Sequence, residues 1–348
     1  MPDNISKFKS DSKSVNDIRP APADFRYWSL LGVIFLLLAI YIFGSWIASD
    51  HFAPVNPGPQ PLPDFARVTM YGAQTLSVLL MIFIFYKVVI VSLVRDKALS
   101  PNALFLLALV TCAWQDPIVN YFAFSFSYNA YYFNLGSWCH YIPGWFSPNT
   151  ELFAEPLLLV IPIYFWMGFG WALGSCWFFR KLFRWKPNLH IVEAFLLVLL
   201  VTIVVDTLVE TIMLRAHTHA YLGAVRGSFT LFSGEIYQFP LYEALAVGLW
   251  TTLMGVFLYY RDNQGYSFVE RGINDINAPK PFKTTLRWLA LVGILNVIMF
   301  FGFNFTHIMI STHADKFPRN VPSYFNNGIC GEGTPYNCPG PGIPLPRR

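Results

Sequence analysis

Three carboxylic acids of this 348-residue chain stand where carboxylic acids are costly: Asp116, Asp206 and Glu210 interrupt long apolar runs. In a medium of low dielectric such a group must be paired, hydrogen-bonded or protonated, and an intramembrane acid marks a pathway or a site. Desolvated carboxyls placed near one another are candidate general acids and bases. Other polar side chains in or beside the apolar runs are candidates for binding a substrate: Gln74, Trp114, Asn120, Glu155, Glu243, Asn304 and His307. Asp116 and Asn120 are four residues apart, as are Asp206 and Glu210. In an α-helix each pair shares a face.

The elements that must position these groups are membrane helices. Runs of about 20 apolar residues cross a hydrocarbon core of about 30 Å, and such runs fall near 28–48, 69–94, 101–121, 155–178, 191–214, 240–260 and 286–310. Hydrophobic residues make up 55% of the chain and charged residues 13%, against about 25% charged in soluble domains. The expected fold class is all-α: a polytopic membrane protein of seven transmembrane helices. Residues 1–27 read as a polar cytoplasmic segment, 28–313 as one seven-helix domain and 314–348 as a Gly/Pro-rich extracytoplasmic tail. No internal repeat suggests a two-halved transporter.

Lysine and arginine set the expected orientation, since basic residues collect on the cytoplasmic side. They gather before the first helix (Lys7, Lys9, Lys13, Arg19, Arg26) and in the second (Arg95, Lys97), fourth (Arg180, Lys181, Arg184, Lys186) and sixth (Arg261, Arg271, Lys280, Lys283) connections. Phe122 to Ala154, the third loop, holds none. The N-terminus is therefore expected in the cytoplasm and the C-terminus outside, in the cell membrane, although Lys316, Arg319, Arg347 and Arg348 in the tail count the other way. The net charge of +4 reflects this bias and does not point to nucleic acid.

Depth then groups the candidates. At about 1.5 Å per residue Asp116 lies roughly 23 Å from helix entry near Pro101, and Asp206 a similar distance from Ile191. Asn304 and His307 reach a comparable height, while Gln74 and Glu243 lie within about 8 Å of the outer boundary and Glu155 opens the fourth helix. The polar groups thus share a layer toward the outer side. An interhelical hydrogen-bond network that only holds the bundle together would produce the same pattern.

Within that layer the segment Trp114-Gln115-Asp116-Pro117-Ile118-Val119-Asn120-Tyr121 is the most distinctive. Pro117 has no N–H, which predicts a kink and a free carbonyl at Ala113 beside Asp116. The third loop is dense in aromatic residues, among them Phe126, Tyr128 and Trp138. It is expected either to fold back as a lid over the acids or to lie in the membrane interface. Cys112 and Cys176 read as small buried hydrophobes. Cys139, Cys330 and Cys338 fall on the outer side, where a Cys330–Cys338 bridge is one possible pairing.

The seven-span layout, the 114–121 segment, the aromatic third loop and the Asp206/Glu210 helix with its Gly/Phe-rich following loop resemble the AveC-like spirocyclase family of membrane proteins, over roughly Trp28 to His313. The resemblance implies a membrane enzyme that dehydrates a hydroxy-ketone chain and closes it to a spiroketal, as in polyketide secondary metabolism. It carries over no catalytic residue set, so the roles come from the residues themselves. Asp116 would be the acid, Asp206 or Glu210 the base and cation stabiliser, and Asn120 with His307 the orienting donors. Such chemistry needs no metal or cofactor. The expected partners are a lipophilic small-molecule substrate and membrane lipid, and the oligomeric state is not set by the sequence. Three alternatives stay open: a membrane terpene cyclase, a proton or solute transporter, and a zinc-dependent membrane hydrolase using His217 and His219 with Asp206, Glu210 and His307.

Overall fold

The structure, a computed structural model, describes residues 24–345. Lys7, Lys9, Lys13, Arg19, Arg347 and Arg348 lie outside the described residues. Seven helices are long and apolar enough to cross a membrane: α1 Phe25–Ile47, α2 Asp64–Asp96, α3 Pro101–Asn120, α4 Leu157–Trp185, α5 Ile191–Arg215, α6 Leu241–Tyr259 and α7 Lys280–Ser311. Local signals fix several helix starts. The Asp24 carboxylate accepts from Arg26 N, and the Ser100 hydroxyl accepts from Ala103 N with Pro101 in the first turn. His190 and Glu193 form a reciprocal capping box at the start of α5.

Burial sorts the helices into layers. Each of α3 and α6 is 72% buried over its most apolar window, against 17% for α2 and 22% for α1 and α5. The first two are therefore central, and the others turn apolar side chains outward as lipid-facing helices do. Small residues let the backbones approach. A Cβ on Gly32 would strike the Leu289 carbonyl and one on Gly293 the Trp28 carbonyl, so α1 crosses α7 almost backbone to backbone. There Ser29 Oγ also donates to Leu286 O at 3.0 Å.

Four helix segments depart from α geometry. Thr111–Asn120 of α3 winds as a 3₁₀-helix, while α2, α4 and α7 carry π turns at Tyr86–Ile90, Tyr164–Gly168 and Phe300–Asn304. A 3₁₀ stretch rises about 2.0 Å per residue, so Asp116 lies roughly 3 Å further along α3 than a uniform α-helix would carry it. Three residues per turn also change the faces. The neighbour of Asp116 along its own face is Val119, and Asn120 belongs to another face, contrary to the α-helical expectation.

On the face where α7 delivers the tail, the first, third and fifth connections interlock. Strand β1 (Phe126–Tyr128) of the third loop pairs antiparallel with β2 (His219–Tyr221) of the fifth. A second two-stranded pair joins β3 (Thr230–Leu231) to β4 (Phe239–Pro240). Ala130 N donates to Tyr324 O at 2.9 Å and Gln60 N to Ser323 Oγ at 3.2 Å, tying in the tail and first loop. Cys330 and Cys338 are joined by a disulfide. The aromatic loop is thus a packed cap, with Trp138 and Phe124 fully buried.

Candidate active site

Pro117 explains how α3 offers its acid. In a 3₁₀ register the carbonyl left without a donor is that of Trp114, not Ala113. It accepts from the indole Nε1 of Trp138 at 2.8 Å. The acceptor expected to be free for a substrate is one residue further on and already filled by the cap. What the 3₁₀ turn does provide is aim: Asp116 and Val119 both face one cavity of ≈ 110 Å³.

That cavity is lined from α3, α4, α5, α6, α7 and the β1–β2 ribbon. Cross-strand partners point to the same face of a ribbon, as do residues two apart along a strand. Phe126, Tyr128, His219 and Tyr221 therefore all project together, and all four line the cavity. Tyr128 Oη donates to Asp116 Oδ2 at 3.0 Å, and Tyr164 Oη of α4 reaches Asp116 Oδ1 at 3.4 Å. Glu155, in the cap just before α4, adjoins Asp116. Its carboxyl is held well above the ordinary range, first by burial and then by the neighbouring Asp116 charge, with Ser137 pulling the other way. Burial and the same two carboxyls push the Tyr128 phenol upward, so it remains a donor.

Beside this acid lie two histidine–carboxylate pairs. His219 Nε2 meets Glu210 Oε2 at 2.7 Å, and the other ring nitrogen, Nδ1, lies 2.9 Å from Thr218 Oγ1. Tyr221 Oη donates to the same Glu210 oxygen at 3.2 Å. His307 Nδ1 pairs with Glu243 Oε2, leaving the buried Nε2 of His307 without a protein partner on a side chain that faces the cavity. Tyr128 and His219 are cross-strand partners with ring centroids 6.4 Å apart, so the Asp116 group and the Glu210 group meet through the ribbon. The remaining lining is apolar or aromatic, with Trp250, Phe303, Met167 and Met213 among it, and no lysine or arginine lines the cavity among the described residues.

Of the residues singled out from sequence, Asp116, Glu210, Glu243 and His307 share this cavity, with Glu155 against Asp116. Asp206 is fully buried but does not line it, and sits within electrostatic reach of Glu210 and Glu243. Asn120 Oδ1 accepts from Ser125 N and Phe126 N, both at 2.9 Å, and so folds the chain into β1. Gln74 Oε1 accepts from Phe133 N at 3.0 Å, tying the cap to α2. Trp114 Nε1 donates to Asn296 Oδ1 at 3.0 Å, and Asn304 Nδ2 to Gln115 Oε1 at 3.2 Å, in a network between α3 and α7. Tyr164 and Tyr221 line the cavity without being among the sequence candidates, and Tyr164 carries no sequence signal. For Tyr221 one existed, because the alternations Phe126-Ser127-Tyr128 and His219-Ala220-Tyr221 place aromatic and His side chains at the period of a strand.

His217 is held apart from its neighbour His219, its Nδ1 2.8 Å from Tyr324 Oη. Among the described residues no group of three or more His, Cys, Asp or Glu side chains is placed to hold one metal ion.

A family model described as spirocyclase AveC-like matches residues 97–327. The chain belongs to the AveC-like spirocyclase family. The matched region takes in α3 to α7, the third and fifth connections and every residue lining the cavity. No curated protein and no solved structure gave a match. With seven spanning helices, this family member is a multi-pass membrane protein of cyclase type.

Proposed function

We propose that this AveC-like protein closes a ring on a lipophilic hydroxy-ketone by acid–base dehydration, forming a spiroketal-type product. The observation that carries the reading is the meeting of Asp116 and the Glu210–His219 pair on different walls of one aromatic-lined cavity. Asp116, backed by Glu155 and oriented by Tyr128 and Tyr164, delivers a proton to a hemiketal oxygen. The C–O bond breaks and water leaves. The resulting oxocarbenium ion sits among carboxylates and aromatic faces, and among the described residues no lysine or arginine lines the cavity to oppose it. A second hydroxyl of the substrate attacks the cationic carbon, and Glu210, through His219, takes its proton. The sum is loss of one water, with the acid and base restored by proton exchange. Glu210 takes the base's place in preference to Asp206 because Glu210 lines the cavity and Asp206 does not. Glu243 and His307 orient the substrate oxygens, through the open Nε2 of His307.

The substrate can be sought by comparing lipophilic metabolites of a deletion strain and its parent. With it in hand, Asp116→Asn keeps shape and hydrogen bonding but cannot give up a proton, and should lower product formation by on the order of 10²-fold or more. Gln74→Leu, whose partner is a backbone amide of the cap, should cost less. Normal turnover by a folded Asp116→Asn protein would defeat the acid–base reading.

A further inference from the structure

The route into the cavity is written in the path of α4. In their halves away from the cap α4 and α5 pack together, with Phe179 and Leu182 against Ala194 and Val198. Toward the cap they part. Leu157–Gly168 lies instead against α2 and α3, and among the described residues it makes no more than scattered contact with α5 or α6. The sequence supplies the reason. Pro162 cannot donate to Leu158 O, and the π turn Tyr164–Gly168 adds a residue to the next turn, so α4 is re-aimed at that level.

The divergence leaves a gap in the wall, and the cavity lies in it. Ile163 and Met167 on α4 and Met213 on α5 line the cavity and are each half-buried. Beside them Leu158, Leu208 and Ile212 are exposed apolar side chains on helices long and apolar enough to cross a membrane, a surface suited to hydrocarbon and not to water. Toward the aqueous face the β1–β2 ribbon covers the cavity, and the buried Asn129 fastens that cover: its N donates to Thr218 O at 3.1 Å and its Nδ2 to His217 O at 2.8 Å. Below, Gly168 closes against Trp250, whose indole would lie 3.3 Å from a Cβ placed there.

We propose that the substrate enters the cavity sideways from the bilayer, between the cap-side halves of α4 and α5, past Ile163, Met167 and Met213. The occupant of this passage is the lipophilic substrate of the proposed reaction, on which the inference rests, and unbranched methionine side chains can move aside for an alkyl chain. A cavity of ≈ 110 Å³ holds only the reacting part of a long molecule. The rest of its chain stays in the gap and in lipid.

The test needs no substrate. Protein in lipid nanodiscs is treated with dicyclohexylcarbodiimide, which partitions into hydrocarbon and adds to protonated carboxyls, or with a water-soluble carbodiimide, and adducts are located by mass spectrometry. The lipid-soluble reagent should modify Asp116, the acid that carries the transferable proton, and the water-soluble one should leave it untouched. Met167→Trp with Met213→Trp should fill the gap and slow labelling several-fold, and Met167→Ala with Met213→Ala should speed it. Equal labelling by the two reagents, or labelling rates indifferent to both pairs of variants, would overturn the route. Because labelling is independent of turnover, the route can stand even where Asp116→Asn turns over normally, and the two ideas fail separately.

Discussion

Glu155 has a measurable consequence at the scale of one side chain. It is 3% exposed, and burial together with Asp116 raises its carboxyl well above the ordinary range. In a pH interval above the ordinary glutamate value the folded protein keeps a proton that the unfolded chain has lost. The stabilisation is therefore complete at acid pH and declines as pH rises toward the folded-state value, by at most about 1.4 kcal/mol per pH unit. Glu155→Gln imitates the protonated form at every pH. Thermal unfolding of the variant should match the parent at acid pH and exceed it by a growing margin as pH is raised. Two curves that stay parallel across the series would mean that Glu155 carries no such proton. The Tyr128 phenol, pushed upward by burial and by the same acids, remains a donor to Asp116 through that interval.

For the 3₁₀ stretch of α3 the decisive contact is Trp138 Nε1 to the Trp114 carbonyl. Trp138→Phe keeps an aromatic ring but removes the donor, leaving a buried carbonyl unsatisfied at a cost of about 1–3 kcal/mol. Pro117→Ala restores an N–H that can reach this carbonyl. In the Pro117→Ala background Trp138→Phe should then cost clearly less, a coupling that a double-mutant cycle on thermal stability would read directly. Additive effects would show that the indole does not serve as the missing donor. The same element accounts for Asn120, which leaves the Asp116 face at three residues per turn and holds the start of β1.

Over the whole molecule, the first, third and fifth connections and the tail interlock on one face, and the basic second, fourth and sixth connections lie on the other. We propose the basic face as cytoplasmic, on the bias of Lys and Arg in short loops, with the Cys330–Cys338 disulfide on an oxidising side. Asn188→Cys, between Lys186 and His190, should resist an impermeant thiol reagent in intact cells and react after permeabilisation. Labelling from outside would invert the orientation. The disulfide gives a second readout, since intact protein should be two hydrogens lighter than its reduced form, and free thiols at both Cys330 and Cys338 under non-reducing conditions would exclude the bridge.

The seven spans and the all-α class were legible in the sequence because a hydrocarbon core imposes its own length on any apolar run, whatever packs beside it. The acids could be singled out for the same reason, since cost in a bilayer depends on side-chain type and depth. What the sequence could not decide was which acids meet. Asp206 and Glu210 share a helix face, yet only Glu210 lines the cavity, and that depends on where α6, α7 and the ribbon pack. α-Helical spacing groups Asn120 with Asp116, whereas one proline, with the indole of Trp138 on the Trp114 carbonyl 24 residues before it, changes the period. Tyr164 and Tyr221 come to the site from other elements altogether. Type and depth are properties of one segment against its solvent, whereas a proton path needs two groups within about 3 Å, and only the packing of separate elements sets such a distance.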